Sequence, residues 1–314
     1  MNIRMGISSC LLGNNVRYDG THKLDRYLRD ILGRYVEWVP VCPEVECGLS
    51  VPREPIRLVG DPEAPRLFTV KSGIDLTERM QNWVRERTRE LEREDLCGFV
   101  FKTKSPSCGM QGVKVYTERG MPCRRGAGLF ARGFVAHLPT IPVEDEGRLH
   151  DPVLRENFIE RIFTFSRWKE YESRNGTRAG LVTFHANHKY LIMAHSPRHL
   201  RTLGRLVGNI QTHGIAATRK SYIAILLSGL SLTATTRKNL NTLQHIAGYF
   251  KTLLTADEKR EMWDIFEQYR DELIPLIVPI VLLQHYVRKY DIAYLKPQYY
   301  LHPHPAELKL RNHV

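Results

Sequence analysis

The hydrophobic pattern changes character near Asp151, and this change constrains the fold more than any other feature of the sequence. Before it, short apolar runs typical of β-strands alternate with helical patterns, and after it apolar residues recur at spacings of three and four. Alternating strands and helices are typical of an α/β domain with a mainly parallel sheet. The pattern therefore predicts an α/β domain over residues 1–150 and an all-α domain over residues 151–314.

Three strands are predicted in the first domain, at residues 5–8, 36–41 and 98–103. An amphipathic helix over residues 77–94 and a more buried helix over residues 126–135 would cover the sheet between and after them. Strands joined through covering helices give a Rossmann-like arrangement, in which loops gather over the carboxyl ends of the strands.

Capping signals mark the helices of the second domain. Asp151 and Ser196 each stand directly before a proline, and Thr255 begins the capping box T-A-D-E. Residues 143–150 are interpreted as a linker between the domains. Prolines in residues 297–305 cannot continue a helix, so we expect an irregular tail there.

Charge is unevenly distributed along the chain. Lys and Arg number 46 against 34 Asp and Glu, and no acidic residue occurs in the 84 positions between Glu172 and Asp257. Such a one-signed stretch attracts polyanions, which favours nucleic-acid contact over a basic face that is merely solvated by water. The candidate contacts are Arg198, Arg201 and Arg205, which share one helical face, together with Arg219 and Lys220.

Three histidines within the basic stretch have a spacing that a metal site could use. These are His185, His188 and His195, and no carboxylate accompanies them in the sequence. We therefore interpret them as residues at the edge of the core or facing RNA.

Secretion and membrane insertion are not expected. The start of the chain lacks the apolar stretch of a secretory signal, and the longest apolar run, residues 273–283, is 11 residues long and contains two prolines. A bilayer span needs about 20 residues. Six cysteines are too few for a disulfide scaffold. We expect a cytoplasmic protein with reduced thiols and no membrane partner.

Three of the cysteines stand just after predicted strands, where α/β domains place their chemistry. Cys10 and Cys42 end the first two strands, and Cys108 lies in the loop after the third. Thiolates at one locus suit a soft metal or an iron–sulfur cluster. Zinc sites use closely paired ligands, which this chain lacks. The alternative is that these residues are small buried hydrophobes, which we prefer for Cys47, Cys97 and Cys123.

Two polar residues accompany the proposed ligands. Glu44 follows Cys42 by two positions, and Ser105 precedes Cys108 by three. Both could reach a shared pocket, the carboxyl as general acid or base and the hydroxyl as a proton relay. From the residues alone, a helix cap for Glu44 and a turn hydroxyl for Ser105 are the preferred interpretations.

Five segments of the first domain carry a family resemblance: SCLLG at 9–13 with VRYDG at 16–20, CPEV at 42–45, KSPSCG at 104–109, GAGLFA at 126–131 and EDEGRL at 144–149. On these motifs, residues 1–150 resemble the thiouracil desulfidase family. Residues 151–314 resemble the helical domain fused to it in a longer branch, whose members act on 4-thiouridine in transfer RNA.

The resemblance implies a [4Fe-4S] cluster held by Cys10, Cys42 and Cys108, whose unique iron takes the sulfur of a thiocarbonyl. It also implies that Glu44 and Ser105 are the catalytic pair, and that the helical domain binds tRNA. The chain departs from the family pattern at Cys47, which would be an accessory thiol near the cluster.

Two alternatives remain beside this implied function. In the first alternative, the protein is still a cluster-dependent desulfidase, but its substrate is a free thiolated base or nucleoside. In the second, the chain would be a non-catalytic RNA-binding or redox-sensing module holding zinc or a structural cluster.

Overall fold

Residues 3–117 and 120–313 are described by the computed structural model, which divides the chain into the units Met1–His150 and Asp151–Val314. The first unit contains a parallel-rich sheet with helices, and the second is built from helices, so the predicted fold class is confirmed. Within the described ranges, no helix is both long and apolar enough to cross a membrane.

The first unit contains two sheets. Its strands are, in chain order, β1 (Arg4–Ser8), β2 (Glu37–Val41), β3 (Ile56–Val59), β4 (Arg66–Thr69), β5 (Gly98–Phe101), β6 (Val113–Tyr116), β7 (Pro122–Gly126) and β8 (Val143–Asp145). The first sheet has the order β2-β1-β5-β8 and is parallel throughout. Met5 is aligned with Trp38 on one side and with Gly98 on the other. The carboxyl ends of β1, β2 and β5 are therefore neighbours.

The second sheet was not predicted from the sequence. Its order is β4-β3-β6-β7, with β3 antiparallel to β4 and parallel to β6, and with β7 antiparallel to β6 at the edge. Each strand has four or five residues. In β6, exposed Lys114 alternates with buried Val113 and Val115. An alternation of buried and exposed residues this short cannot be distinguished from a loop in the sequence.

The segment interpreted as a linker is part of the fold, so that prediction was wrong. Its residues 143–145 form β8, which pairs with β5. The acidic residues that make it look solvent-exposed are buried and bonded: Glu146 accepts from the amide of Thr103 at 2.5 Å and pairs with Lys102, and Glu144 accepts from Arg148 at 2.8 Å.

Helices α1 (Pro43–Glu46), α2 (Thr77–Arg93) and α3 (Leu129–His137) complete the first unit. Four phenylalanine rings pack between β5 and α3, namely Phe99, Phe101, Phe130 and Phe134, with centroid separations of 4.2 to 5.9 Å. β1 passes close to this cluster, because a Cβ added at Gly6 would lie 2.1 Å from the Phe99 ring. The buried aromatic cluster holds the strand ends in place.

The second unit consists of helices α4 (Pro152–Ser173), α5 (Arg178–His195), α6 (Pro197–Gly208), α7 (Ile210–His213), α8 (Ile215–Leu230), α9 (Thr236–Ala247), α10 (Ala256–Arg270) and α11 (Ile277–Lys289). The predicted caps are present: the Asp151 and Ser196 side chains accept from backbone amides at the starts of α4 and α6, and Thr255 forms the capping box of α10. Residues 297–305 contain no helix, as predicted.

A buried ion network joins the start of the second unit to its end. The Arg311 guanidinium donates to Glu160 at 2.6 Å and to Glu156 at 3.0 Å. The Glu160 carboxylate also lies 2.8 Å from Nε2 of His195. Burying these charges is tolerable only because each one has a partner.

Candidate active site

The three predicted cysteine ligands lie around one cavity of the first unit. Cys10 follows β1 in the 3₁₀ turn Ser9–Leu12, Cys42 follows β2 as the N-cap of α1, and Cys108 lies in the loop after β5. Because these strands are neighbours in a parallel sheet, their carboxyl ends lie side by side at the same edge of the sheet. The cavity has a volume of about 530 Å³ and is lined by all three cysteines and by Glu44 and Ser105.

The loop that carries Cys108 is held by the N-terminus of α3. The amide of Phe130 donates to the Ser107 carbonyl at 2.9 Å, and the amide of Gly128 donates to the Gly109 carbonyl at 2.7 Å. A Cβ added at Gly128 would lie only 2.4 Å from the Ser107 carbonyl carbon. A residue with a side chain at position 128 would therefore displace the loop from its present position.

The cavity makes ionisation of its thiols unfavourable. Cys10 and Cys108 are 8% and 5% exposed. Burial raises the pKa of the Cys10 thiol to about 11, and it also raises the pKa of Cys42 and of Cys108. The neighbouring thiols add to the shifts at Cys10 and Cys108. Thiolates here need a compensating positive charge, which a metal centre supplies to its ligands.

The donor set bears on the kind of metal centre. Three thiols line the cavity, and sulfur ligands suit zinc and iron–sulfur clusters. Structural zinc sites bind four protein ligands, and neither a fourth cysteine nor a histidine lines the cavity among the described residues. The three-thiol donor set therefore fits an iron–sulfur cluster better than a structural zinc ion.

A chain of hydrogen bonds connects the two predicted catalytic residues. Oγ of Ser107 donates to Oε1 of Glu44 at 2.7 Å, and it lies 2.9 Å from Oγ of Ser105. Ser105 also accepts from the amide of Cys108 at 3.1 Å, so it is a turn hydroxyl as well as a neighbour of Ser107. Ser107, which the sequence did not single out, is therefore the link between Glu44 and Ser105.

Arg53 orients the Glu44 carboxylate. Its Nε donates to Oε2 of Glu44 at 3.0 Å, its Nη2 contacts the same oxygen, and Nη2 also donates to the Val16 carbonyl at 2.9 Å. The Arg53 and Glu44 side chains are 6% and 14% exposed. The capping role considered for Glu44 belongs to Glu46, which accepts from the Cys42 amide at 2.7 Å. Glu44 is thus left to face the cavity.

Positive charge surrounds the cavity. Its lining includes Arg17, Lys23, Arg53, Lys102 and Lys104. Of these, Arg53 is paired with Glu44, Lys102 with Glu146 and Arg17 with Asp19. The excess of cations favours an anionic group inside the cavity or at its rim.

The other cysteines do not line the cavity. Cys47 is half-buried, its thiol donates to the Glu44 carbonyl at 3.3 Å, and it packs against the hydrophobic core. An accessory role for Cys47 beside the cluster is therefore not supported. Cys97 is buried at the end of the loop before β5, and Cys123 is half-buried on β7.

The basic residues chosen in the second unit do not all face solvent. Arg198, Arg201 and Arg205 lie on α6 and are exposed, and Lys220 on α8 is exposed as well. Arg219 is half-buried, and its Nη1 donates to the Gly176 carbonyl at 3.4 Å. Arg219 is therefore less accessible to a phosphate than the other four residues, and its RNA contact stays a prediction.

The three histidines of the basic stretch belong to the interior of the second unit. His188 and His195 are buried, and His185 is half-buried with Nδ1 3.1 Å from the Tyr222 hydroxyl. His195 does have a carboxylate partner, Glu160, which comes from 35 positions earlier in the chain.

Two family models match parts of the chain. The family described as "2-thiouracil desulfurase" matches residues 5–146, and a family described as "Protein of unknown function (DUF1722)" matches residues 189–305. A relative from Bacillus subtilis, "Uncharacterized protein YbbK", is 31% identical over 108 residues, which are 33% of this chain and 71% of that protein.

Two further relatives were found. "Uncharacterized protein YbgA" of Escherichia coli is 29% identical over 158 residues, covering 50% of this chain and 94% of that protein. A solved structure titled "[4Fe-4S]-dependent thiouracil desulfidase TudS" is 30% identical, with a TM-score of 0.39, and the match covers 48% of this chain and 94% of that one. Through residues 5–146, the chain belongs to the 2-thiouracil desulfurase family.

Proposed function

We propose that this protein is an iron–sulfur-dependent desulfidase that removes sulfur from 4-thiouridine in tRNA and gives uridine and hydrosulfide. One observation carries the proposal: Cys10, Cys42, Cys108 and the linked pair of Glu44 and Ser105 line the same cavity. Family membership supplies the desulfurase class, and the basic second unit favours RNA as the carrier of the thiolated nucleotide.

Cys10, Cys42 and Cys108 would hold a [4Fe-4S] cluster. When bound, such a cluster supplies an iron with an open coordination position, which acts as a Lewis acid toward the thiocarbonyl sulfur. The chain contributes three thiolates, and no fourth cysteine lines the cavity among the residues that the structure describes. A donor set of three leaves one iron free for the substrate.

Glu44 and the two serines would handle the protons. The reaction replaces C=S by C=O: water adds its oxygen to the ring carbon and the carbon–sulfur bond breaks. One water proton leaves with the sulfur as hydrosulfide, and the other is released to solvent. Glu44 is the cavity's carboxylate and would accept a proton from the attacking water. Ser107, bonded to Glu44, and then Ser105 would pass a proton toward the leaving sulfur.

Arg53 would act as a positioning residue. It bonds the Glu44 oxygen that Ser107 does not use, so both carboxylate oxygens are oriented before substrate arrives. Fixing the base in this way lowers the reorganisation needed during the reaction. The atom balance requires water and no external electron donor.

The second unit would bind the tRNA. Arg198, Arg201, Arg205 and Lys220 are exposed in a stretch without acidic residues, and a tRNA offers an array of phosphates to such side chains. Recognition of shape and backbone, with the target nucleotide exposed from the RNA fold, suits this surface.

Activity measurements test the proposal. Protein purified without oxygen is incubated with tRNA containing 4-thiouridine, and loss of the thiolated nucleoside and release of sulfide are followed together. We expect both in equal amounts, and we expect Glu44→Gln to lose turnover while keeping its iron. Protein that contains a cluster but releases no sulfide from any thiolated substrate would contradict the proposed enzyme.

A second candidate substrate is free thiouracil or a thiolated nucleoside, which the family's description favours. A cavity of about 530 Å³ has room for a single base. The same incubations with free 2-thiouracil and 4-thiouridine separate the candidates. A kcat/KM for the free base equal to or above that for tRNA would favour the small substrate.

A further inference from the structure

A second cleft of the first unit opens beside the cysteine cavity. It has a volume of about 780 Å³, and the two share Thr103 and Lys104 in their linings. The other residues lining this cleft are Gln111, Gly112, Arg124, Arg125, Asp145, Gly147 and Arg148. We call it the arginine cleft. Because two residues belong to both linings, the arginine cleft adjoins the cysteine cavity.

The arginine cleft carries a net positive charge. Lys104, Arg124, Arg125 and Arg148 are exposed, whereas the one acidic residue in its lining, Asp145, is 3% exposed. Arg148 is paired with Glu144. Within the described ranges, Lys104, Arg124 and Arg125 form no ion pair with a carboxylate, so their charges are available to an outside anion.

The position of the two arginines suits an elongated ligand. Arg124 and Arg125 are consecutive residues of β7, which is the edge strand of the second sheet. The outer side of β7 pairs with no other described strand, so the arginines stand along an open rim. The pairing of β6 with β7 shifts register between Val113 and Val115, which places Arg124 and Arg125 at a bulge of the edge strand. Both arginines line the arginine cleft, so they can hold two points along one polyanion.

We propose that the arginine cleft binds RNA backbone phosphates next to the thiolated nucleotide. This inference rests on the proposed function, and it assigns a direct RNA contact to the catalytic unit itself. A free base has no phosphate and gains nothing from the cleft. A nucleotide whose base enters the cysteine cavity remains joined to flanking phosphates, and the shared residues Thr103 and Lys104 place the cleft where those phosphates would run.

The test uses the full-length, cluster-loaded protein and two charge-matched double variants. Arg124→Gln/Arg125→Gln removes two cations of the cleft, and Arg89→Gln/Arg93→Gln removes two exposed cations of α2 that line neither cavity. The KM and kcat for thiolated tRNA are measured at several salt concentrations. For the cleft variant we expect KM to rise roughly tenfold, with kcat within about twofold of wild type.

The salt dependence gives a second readout. Losing two phosphate contacts on single-stranded RNA should lower the slope of log KM against log salt by roughly 1.4. A KM for the cleft variant equal to that of the α2 control overturns the inference, and so does a fall in kcat without a rise in KM. Wild-type protein that does not desulfurise tRNA at all refutes the proposed substrate instead, so the two failures are distinguishable.

Discussion

Ser107 donates a 2.7 Å hydrogen bond to Glu44 across 63 positions of sequence. The bond joins the loop after β5 to the first turn of α1, and it completes a path from Glu44 to Ser105. Two hydroxyls and a carboxylate in series make a proton path from the cavity wall to the cysteine loop. The path and the three thiols line the same cavity, so we expect them to act on the same substrate.

Replacing Ser107 by alanine should break the path while leaving the cluster site intact. We expect kcat to fall by a factor of about 10² to 10⁴, the usual contribution of a positioned proton-transfer group. Iron content should stay at the wild-type value, because Ser107 is not one of the three residues proposed to bind the cluster. The measurement is turnover per iron, with Ser50→Ala, an exposed hydroxyl bonded to the Pro52 carbonyl, as the control. Equal turnover in both variants would exclude Ser107 from the path.

Arg53 offers a test of positioning. Arg53→Lys keeps the positive charge but has a single ammonium group. That group cannot replace both guanidinium nitrogens that bond Glu44 and also keep the bond to the Val16 carbonyl. We expect kcat to fall roughly tenfold with little change in KM. The matched variant is Arg79→Lys, whose arginine bonds the carbonyls of Cys47 and Gly48 outside the cavity. If KM rises instead and kcat holds, Arg53 binds substrate and does not orient the carboxylate.

These residues show what sequence can and cannot reveal. Cys10, Cys42 and Cys108 were found because each lies in the segment that follows a predicted strand, which is a local signal. Ser107 and Arg53 carry no local signal, since their importance arises from contacts with Glu44 made only after folding. The partial burial of Arg219 also carries no local signal, because its contact with the Gly176 carbonyl joins residues 43 positions apart.

The limits for the fold have a similar origin. Long helices and their caps, such as Asp151 and Thr255, can be predicted because their signals lie in neighbouring residues of the sequence. The strand β8 was hidden because Glu144 within it and Glu146 just after it are buried only through their partners, Arg148 and Lys102. The second sheet was hidden because its strands are short and pair mainly with one another.

The buried thiols should respond to pH when the cluster is removed. A pKa raised to about 11 keeps Cys10 protonated at neutral pH, so its thiolate fraction rises tenfold for each pH unit up to about 11. We expect alkylation of Cys10 in cluster-free protein to accelerate in this way, as followed by peptide mass spectrometry. A rate that reaches its plateau below pH 8 would show that the thiol is not desolvated as described.

Gly128 should be required for the cysteine loop. The added Cβ of Gly128→Ala would lie 2.4 Å from the Ser107 carbonyl carbon, so the loop must shift. We expect loss of most cluster iron and destabilisation by about 1 to 3 kcal/mol. Gly208→Ala is the control, because no atom lies within 4 Å of its added Cβ. Full iron content and wild-type stability in Gly128→Ala would contradict the role assigned to this contact.

The ion network of the second unit predicts a pH dependence of stability. Burial, with repulsion from Glu160, raises the pKa of Glu156 to about 7. Because the unfolded carboxyl releases its proton near pH 4.5, folding is weakened as pH rises from there to about 7. Glu156→Gln should therefore gain stability over wild type across this window, by roughly 3 kcal/mol at most.

Urea unfolding at pH 5 and pH 8.5 measures this difference. Glu170→Gln, which alters a half-buried residue of the same helix that pairs with Arg174, serves as the control. Between pH 5 and pH 8.5, we expect the free energy of unfolding of Glu156→Gln to increase relative to that of wild type. The control should follow the wild-type pH dependence. Parallel pH profiles for all three proteins would show that Glu156 is ionised normally in the folded state.

The most direct measurement is the iron and acid-labile sulfide content of protein purified without oxygen, in wild type and in six single cysteine-to-serine variants. The account predicts about four irons and four sulfides per chain in wild type. It predicts a large loss in the Cys10, Cys42 and Cys108 variants, and retention in the Cys47, Cys97 and Cys123 variants. Wild-type protein without iron, or an iron content unaffected by all three cavity substitutions, would contradict it.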